Sequence, residues 1–150
     1  MNCVFRLDAY QIESVAVAHN EAFDSSLTAH TGEVSSGITI APHTKDAGKY
    51  RLTLEMQVKP SAKKEKEFFP YQIAVKGRAF FTFKDPCPRE EADKALRLNG
   101  ASILFGLLRA QVAQITAQSV HGQFLLPVMN FVELAKSRDE AECAKATKKQ

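Results

Sequence analysis

The sequence predicts an α+β fold in which a four-stranded antiparallel sheet precedes a long helix and a C-terminal helix. Two stretches, residues 50–58 and 71–83, alternate apolar with polar side chains, as strands with one buried face do. Residues 101–120 instead repeat their apolar side chains at helical spacing. Between the strands lies no helical pattern long enough for the crossover that a parallel sheet needs.

The first two predicted strands are less regular than the last two. Residues 5–17 are rich in β-forming residues, but their alternation slips around Asp8 and Ala9, which predicts a bulge or a break in the strand there. Residues 34–40 predict a shorter strand with Ile38 and Ile40 on one side. Since loops join all the strands in succession, the sequence predicts a meander.

The last two strands predict an antiparallel hairpin with a polar tip at residues 61–67. Pro60 ends the first of them, because proline lacks the amide hydrogen that a strand interior uses. Gly77 lies in the middle of the second strand and predicts a bulge or a bend there.

The second half of the chain predicts helices. Pro88 and the acidic residues that follow suit a first helical turn, and Asn99 with Gly100 predicts an interruption before the long helix over residues 101–120. Gly122 is a candidate C-cap of that helix. Residues 123–129 are apolar and contain a proline, which predicts an extended segment, and Asn130 is placed to cap a last helix.

Composition predicts one globular domain. The chain has 150 residues, of which 45% are hydrophobic and 25% charged. We assign residues 1–141 to this domain and residues 142–150 to a flexible charged tail. Neither a membrane-spanning stretch nor a signal peptide is evident in the sequence, which predicts a cytoplasmic protein that does not insert into membranes.

The titratable residues do not predict an enzyme. Cys3, Cys87 and Cys143 are odd in number and far apart, so we expect reduced thiols rather than a disulfide framework or a zinc site. No nucleophile elbow, phosphate-binding loop or zinc-protease motif occurs. The sequence therefore predicts no catalytic residue, no metal and no cofactor. The four histidines are scattered along the chain: His19, His30, His43 and His121.

The net charge of +3 is not gathered on one element, so we expect no nucleic-acid partner. A nucleic-acid-binding module stays open as an alternative on the strength of Phe81, Phe83 and Lys84. A thioesterase-like enzyme is a further alternative, although that architecture usually places its long helix among the strands.

Apolar side chains exceed what one sheet and one helix can bury. The excess comprises Phe80 on the polar side of its strand, the Phe68 and Phe69 pair, and the extended segment 124–129. It predicts a subunit interface, a groove for a partner, or both. A richer core is the alternative.

Two motifs in the C-terminal half resemble the SecB family of export chaperones. Residues 99–109, NGASILFGLLR, are similar to the I-L-F-P-Y-x-R helix start of that family. Residues 126–134, LPVMNFVEL, are similar to the element with proline, asparagine and phenylalanine that precedes its last helix. Gly106 and Leu107 depart from the family pattern, which usually has proline and an aromatic residue there.

The resemblance implies an ATP-independent holdase that assembles as a dimer of dimers and binds unfolded polypeptides, such as preproteins for export. A chaperone dedicated to an antitoxin of a toxin–antitoxin pair is the alternative within the family. The translocase ATPase SecA is the other implied partner, but family members meet it through acidic surface, whereas this chain is basic. The expected tetramer interface on the long helix comprises Ile103, Leu107 and Ala110. The expected client-binding groove comprises Ile40, Leu52, Leu54, Met56, Phe124, Leu125, Leu126, Val128, Met129 and Phe131.

Overall fold

The computed structural model describes residues 3–21, 23, 33–59, 70–134, 136 and 145. All the strands it describes precede the helices, which confirms the predicted α+β class. The elements in chain order are β1 (Phe5–His19), β2 (Glu33–Pro42), β3 (Lys49–Lys59), β4 (Tyr71–Phe83), α1 (Arg89–Ala95) and α2 (Ala101–Thr116). Three predicted features lie outside the described residues: the hairpin tip at 61–67, the Phe68 and Phe69 pair, and the tail at 142–150 except Lys145.

The four strands form one antiparallel sheet in the order β1-β4-β3-β2. The predicted hairpin of β3 and β4 is confirmed. The predicted meander order is wrong for β1, which pairs with β4 instead of β2. Alternation along a strand shows which face is buried but does not name the neighbouring strand. The long connection from His19 to Glu33 allows β1 to reach the far edge of the sheet.

Strand β1 contains two bulges rather than one. Its register against β4 shifts between Leu7 and Ala9 and again between Ile12 and Ser14. Each shift inserts one extra residue, so the following apolar side chains return to the same face as before. The slip predicted around Asp8 is thereby confirmed, and the second bulge explains the rest of the irregular pattern.

Strand β4 does not bulge at Gly77, contrary to the prediction, because the bulge opposite this residue has its extra residue in β1. The strand alternates between buried and less buried residues along its whole length. A Cβ atom added at Gly77 would lie 2.7 Å from Cδ2 of Leu108, which belongs to α2. The glycine is therefore needed for the close approach of the helix to the sheet.

The hydrophobic core fills the space between one face of the sheet and the helices. Strands β3 and β4 each contribute every second side chain, and α2 contributes the apolar stripe predicted from its spacing. The largest side chains with less than 2% exposure include Tyr71, Phe81, Leu52, Leu54, Met56, Leu96, Leu104, Leu108 and Leu126.

Helices α1 and α2 form one continuous helical stretch. Asn99 and Gly100 do not interrupt it, because a π-helical turn, Leu96–Gly100, joins α1 to α2. A Cβ atom at Gly100 would lie 3.4 Å from side-chain atoms of Leu52 and Phe81, so the turn packs directly on the sheet. None of the helices within the described residues is long and apolar enough to cross a membrane.

Helix α2 ends at Thr116 rather than at the predicted Val120. The Thr116 hydroxyl donates a hydrogen bond to the carbonyl of Val112 (2.7 Å) and accepts one from the amide of Phe124 (2.8 Å). This contact turns the chain back toward the helix. Gly122 has a positive φ of 80° and lies in the turn that follows, so it is not the C-cap, which is Ala117.

The cysteines correct another expectation. Cys3 and Cys87 form a disulfide, with Cα atoms 5.8 Å apart and 84 residues between them in sequence. The antiparallel pairing of β1 with β4 brings together Cys3, two residues before β1, and Cys87, four residues after β4. The spacing in sequence could not show this proximity. Cys143 lies outside the described residues.

Asp8 at the first bulge makes stability depend on pH. The hydroxyl of Thr82 donates a hydrogen bond to its carboxylate, and Arg6 donates another over 2.9 Å. These interactions, that of Thr82 foremost, hold the pKa of Asp8 below the usual value of 3.8 for an aspartate side chain. A lowered pKa in the folded state contributes stability above the unfolded-state pKa, and this stability disappears as the pH falls through the folded-state pKa.

We therefore expect Asp8→Asn to lower the free energy of unfolding at neutral pH and to lower it less at about pH 3, because the stabilisation decreases as the pH falls toward the folded-state pKa. Urea unfolding at the two pH values measures this difference. Thr82→Val removes the hydroxyl donor at nearly constant size and should reproduce the effect. If Asp8→Asn lowered stability equally at both pH values, its cause would not be the charge.

Candidate functional site

The segment after α2, residues 123–131, runs back along that helix and is called the return segment below. Its first contact is the hydrogen bond from the amide of Phe124 to Thr116 at the end of α2. Further along, Arg109 in the middle of the helix donates through Nε to the carbonyl of Leu126 over 3.0 Å. The two hydrogen bonds hold an extended backbone beside the helix, as the sequence predicted.

The far end of the return segment is fixed by packing and by a helix cap. The ring of Phe131 lies 5.8 Å from that of Phe105 near the start of α2, in an edge-to-face arrangement. Oδ1 of Asn130 accepts hydrogen bonds from the amides of Val132 (3.1 Å) and Glu133 (3.3 Å). Asn130 is therefore the predicted N-cap of the last helix, of which residues 131–134 are helical.

A cluster of rings anchors the start of the return segment to the sheet. The Tyr71 hydroxyl donates to the carbonyl of Gly122 (2.8 Å) and accepts from the amide of His121 (2.9 Å). The Nε2 atom of His121 lies 3.1 Å from the carbonyl oxygen of Asn20. The Phe23 ring packs edge-to-face against the imidazole of His121, with ring centroids 4.9 Å apart. The segment is thus connected to β4 and to the end of β1.

Buried and exposed side chains are interleaved along the return segment. Leu126 and Phe131 are buried, with exposures of 0% and 5%. Leu125 and Val128, by contrast, expose 52% and 81% of their surface, and Val132 in the following helical turn exposes 51%. We call Leu125, Val128 and Val132 the apolar strip. Because its backbone is held on both sides, the strip presents apolar side chains to solvent without being free to collapse.

The predicted groove residues that lie in the return segment divide into three groups. Leu125 and Val128 belong to the apolar strip, and Phe124 and Met129 are half-buried beside it. The buried side chains of Leu126 and Phe131 support the segment from inside. Val132 was missed by the sequence prediction, although its spacing of four residues from Val128 would have indicated it.

The strand residues of the predicted groove lie elsewhere. Leu52, Leu54 and Met56 have exposures of 0%, 0% and 1%, so they are core residues with no surface to offer a client. Their alternation correctly indicated an apolar face, but it did not show that α2 covers this face. Ile40 pairs with Leu52 from the edge strand β2 and is half-buried against the core.

The predicted interface residues lie on the side of α2 that faces away from the core. Ile103 is 41% exposed, Ala110 is exposed and Leu107 is partly so. Gly106 lies between them, and a Cβ atom added there would meet no atom within 4 Å. This helix face is therefore open in the isolated subunit.

The structure does not support the nucleic-acid-binding and thioesterase-like alternatives. Phe81 and Phe83 are 0% and 6% exposed, so neither offers a ring face for a base to stack on. The long helix follows the strands instead of lying among them. Within the part of the chain that the structure describes, no group of three or more His, Cys, Asp or Glu residues is placed to hold a metal ion.

The family model described as preprotein translocase subunit SecB matches residues 3–142. The chain belongs to the SecB family. The resemblance of residues 99–109 and 126–134 to SecB is thereby confirmed. Among curated protein sequences none matches the chain.

Two solved structures are similar to this SecB-family protein. The first is the Mycobacterium tuberculosis Rv1957 SecB-like chaperone, solved in complex with a ChAD peptide from the Rv1956 HigA1 antitoxin. It aligns with a TM-score of 0.61 and 10% identity, over 84% of this chain and 88% of that one. The second is a Streptococcus agalactiae protein of unknown function, with a TM-score of 0.48 and 9% identity, over 85% of this chain and all (100%) of the other. The first likeness confirms the SecB-like fold.

Proposed function

We propose that this SecB-family protein is an ATP-independent holdase chaperone that binds non-native polypeptide segments in extended form. The apolar strip on the anchored return segment is the observation that carries the proposal. A folded protein offers few exposed apolar side chains of its own, whereas an unfolded chain offers many, so such a strip selects for the non-native state.

Binding requires several apolar contacts at once. Each buried apolar side chain contributes roughly 1.5–3 kcal/mol, while association and ordering cost roughly 4–15 kcal/mol. In the proposed site Leu125 and Val128 are the main anchors, with Val132, Phe124 and Met129 beside them. Ile40, on the edge strand β2, is a further proposed contact with the client. The flexible thioether of Met129 suits clients of varied sequence.

Replacing two anchors tests the proposal. We expect the double variant Leu125→Asp/Val128→Asp to need about ten- to a hundredfold more protein than wild type to suppress aggregation of a denatured model client without ATP. Light scattering of the client measures this, and urea unfolding should show nearly wild-type stability because both side chains are already exposed.

Val120→Asp is the matched control. Val120 is 73% exposed but lies in the turn after α2, outside the apolar strip. This variant should suppress aggregation as well as wild type does. The proposal fails if wild type has no effect at several-fold excess over the client, or if the double variant is as effective as wild type.

Assembly into a homotetramer of two dimers is part of the proposal. The sheet of one subunit has two edges, β1 and β2, and an uncovered strand edge favours pairing with another strand. The open face of α2 with Ile103, Leu107 and Ala110 offers a second contact, through which two dimers would associate.

Light scattering in solution is expected to give a mass near four times the 16.6 kDa of the chain. Ile103→Asp should shift the protein to a smaller species, since it places a charge in the helix contact. Val120→Asp, which adds the same charge in the turn after α2 and outside this helix face, is the control. A monomeric wild type would contradict this part of the proposal.

A chaperone dedicated to an antitoxin is the second candidate. It is favoured by the fold shared with the mycobacterial protein, which was solved with an antitoxin peptide. The net charge of +3 is a further argument, because it opposes docking on SecA through acidic surface. Competition separates the candidates: a dedicated chaperone would bind one peptide sequence far more tightly than a panel of denatured clients, and a general holdase would not.

We place the protein in the cytoplasm as a further part of the proposal. The thiol-reducing conditions there make the Cys3–Cys87 disulfide dependent on the redox state of the cell.

A further inference from the structure

We propose that Cys3 and Cys87 form a reversible redox site, and that its bonded state holds the leading end of β1, residues 5–7, over a cluster of aromatic rings. The chemical class of its oxidant is a disulfide, either a small one such as oxidised glutathione or one in a protein. Three features of the structure support this inference.

The first feature is the position of the two cysteines. Cys3 lies two residues before the start of β1, and Cys87 lies between Pro86 and Pro88 in the link from β4 to α1. Each proline ring fixes its own φ, and Pro88 also restricts the backbone of Cys87, which limits how far Cys87 moves when the bond breaks. Both cysteines are half-buried, and Cys87 lines a cleft through which a small oxidant or reductant can approach.

The second feature is the weak attachment of the leading end of β1. Only three ladder pairs, from Phe5 with Phe83 to Leu7 with Phe81, precede the bulge at Asp8. A bulge interrupts the ladder, so these pairs are separated from the rest of the strand. The strand is also at the edge of the sheet and has a partner on one side alone in the subunit. Such an end opens locally at small cost unless it is tied down.

The third feature is what the leading end covers. The Phe5 ring lies 5.2 Å from that of Phe81 and 5.3 Å from that of Phe83, and Tyr50 lies 5.4 Å from Phe83. We call the rings of Tyr50, Phe81 and Phe83, which Phe5 covers, the aromatic cluster. Phe83 also lines two clefts, of about 440 Å³ and 480 Å³, and Cys87 lines the first. If residues 5–7 detached from the sheet, the rings that they cover would become continuous with the surface of the two clefts.

The redox step is an ordinary thiol–disulfide exchange. One cysteine thiolate attacks a sulfur of the oxidant, breaks its S–S bond and releases one thiol. The second cysteine thiolate then attacks the resulting mixed disulfide, forms the Cys3–Cys87 bond and releases the other thiol. Two electrons pass from the cysteines to the oxidant, and the two released thiols take up the two protons.

In the oxidised state the tether and the three ladder pairs act together. In the reduced state the tether is lost and the ladder pairs remain, together with the hydrogen bonds from Lys84 to Val4 and from Thr82 to Asp8. The end of β1 then opens more often and exposes apolar rings. Rings of this kind suit a non-native chain, and that consequence rests on the proposed function. The redox site itself does not, because the experiment below measures local order and needs no client.

Amide hydrogen exchange measured by mass spectrometry tests the proposal. Wild type is compared after treatment with oxidised glutathione and after reduction with a phosphine, together with Cys3→Ser/Cys87→Ser and the control Cys143→Ser. We expect residues 4–7 to exchange at least about tenfold faster in the reduced protein and in the double variant. The centre of β4 around Val75 should stay protected over the same interval, and reoxidation should restore the slow exchange.

Three results would overturn the inference. Oxidised glutathione could fail to cause the mass decrease of two hydrogen atoms that the bond requires. Residues 4–7 could exchange equally fast in the oxidised and reduced protein. Residues 4–7 could also stay as protected as the centre of β4 in the reduced protein, which would mean that they open only together with the whole sheet. Since reduction of wild type is reversible, the test does not depend on the folding of any variant.

Discussion

Loss of the Cys3–Cys87 disulfide is expected to lower the free energy of unfolding by about 4 kcal/mol. The bond joins residues 84 positions apart, so it closes a loop that contains the entire sheet. A cross-link over a long loop restricts the unfolded chain strongly and thereby raises its free energy relative to the folded chain. The double variant Cys3→Ser/Cys87→Ser should therefore unfold at a clearly lower urea concentration than oxidised wild type.

The slope of the urea dependence provides a second reading of the same experiment. An unfolded chain without the cross-link is more expanded, so the double variant should show a larger slope. Cys143→Ser is the control, because it removes a thiol and leaves Cys3 and Cys87 in place. Equal midpoints for the double variant and oxidised wild type would contradict the prediction.

Gly77→Val is expected to cost about 3 kcal/mol, the second large effect. Even the first added carbon would lie 2.7 Å from Cδ2 of Leu108 and 3.3 Å from the backbone oxygen of Gln11. Leu108 is fully buried and cannot swing into open space, so α2 would have to move away from the sheet. Urea unfolding should show a lower midpoint than wild type.

Two further variants show whether the clash with Leu108 is the cause. Gly37→Val places the same residue in β2 at a site with no atom within 4 Å, and it should cost little because valine favours strands. Leu108→Ala in the Gly77→Val background removes the clashing carbons. The loss in the double variant should then be smaller than the sum of the two single losses. Additive losses would place the cause elsewhere.

Local pattern predicted the elements well. The alternation in residues 50–58 and 71–83 identified β3 and β4, and the slip at Asp8 identified the first bulge. Asn130 was correctly predicted as a helix cap. Each of these features depends on side chains a few residues apart, whose spacing decides the local conformation.

Of the residues that the sequence predicted for the candidate site, some are exposed and others are buried. Leu125 and Val128 are exposed as a binding surface requires, whereas Leu52 and Leu54 are covered by α2. An apolar side chain contributes the same pattern to a strand whether its face meets a helix or a client. Burial depends on what packs against the face, and the periodicity of one strand carries no information about that layer.

The sequence by itself determined the α+β class, the positions of the strands and of the long helix, and the motifs that relate residues 99–134 to the SecB family. Only the tertiary structure decided that β1 lies beside β4, that Cys3 forms a disulfide with Cys87 and that Leu108 packs closely against Gly77. The first group rests on interactions between near neighbours in the chain. The second depends on contacts between distant segments, which form only when the sheet and the helices pack together.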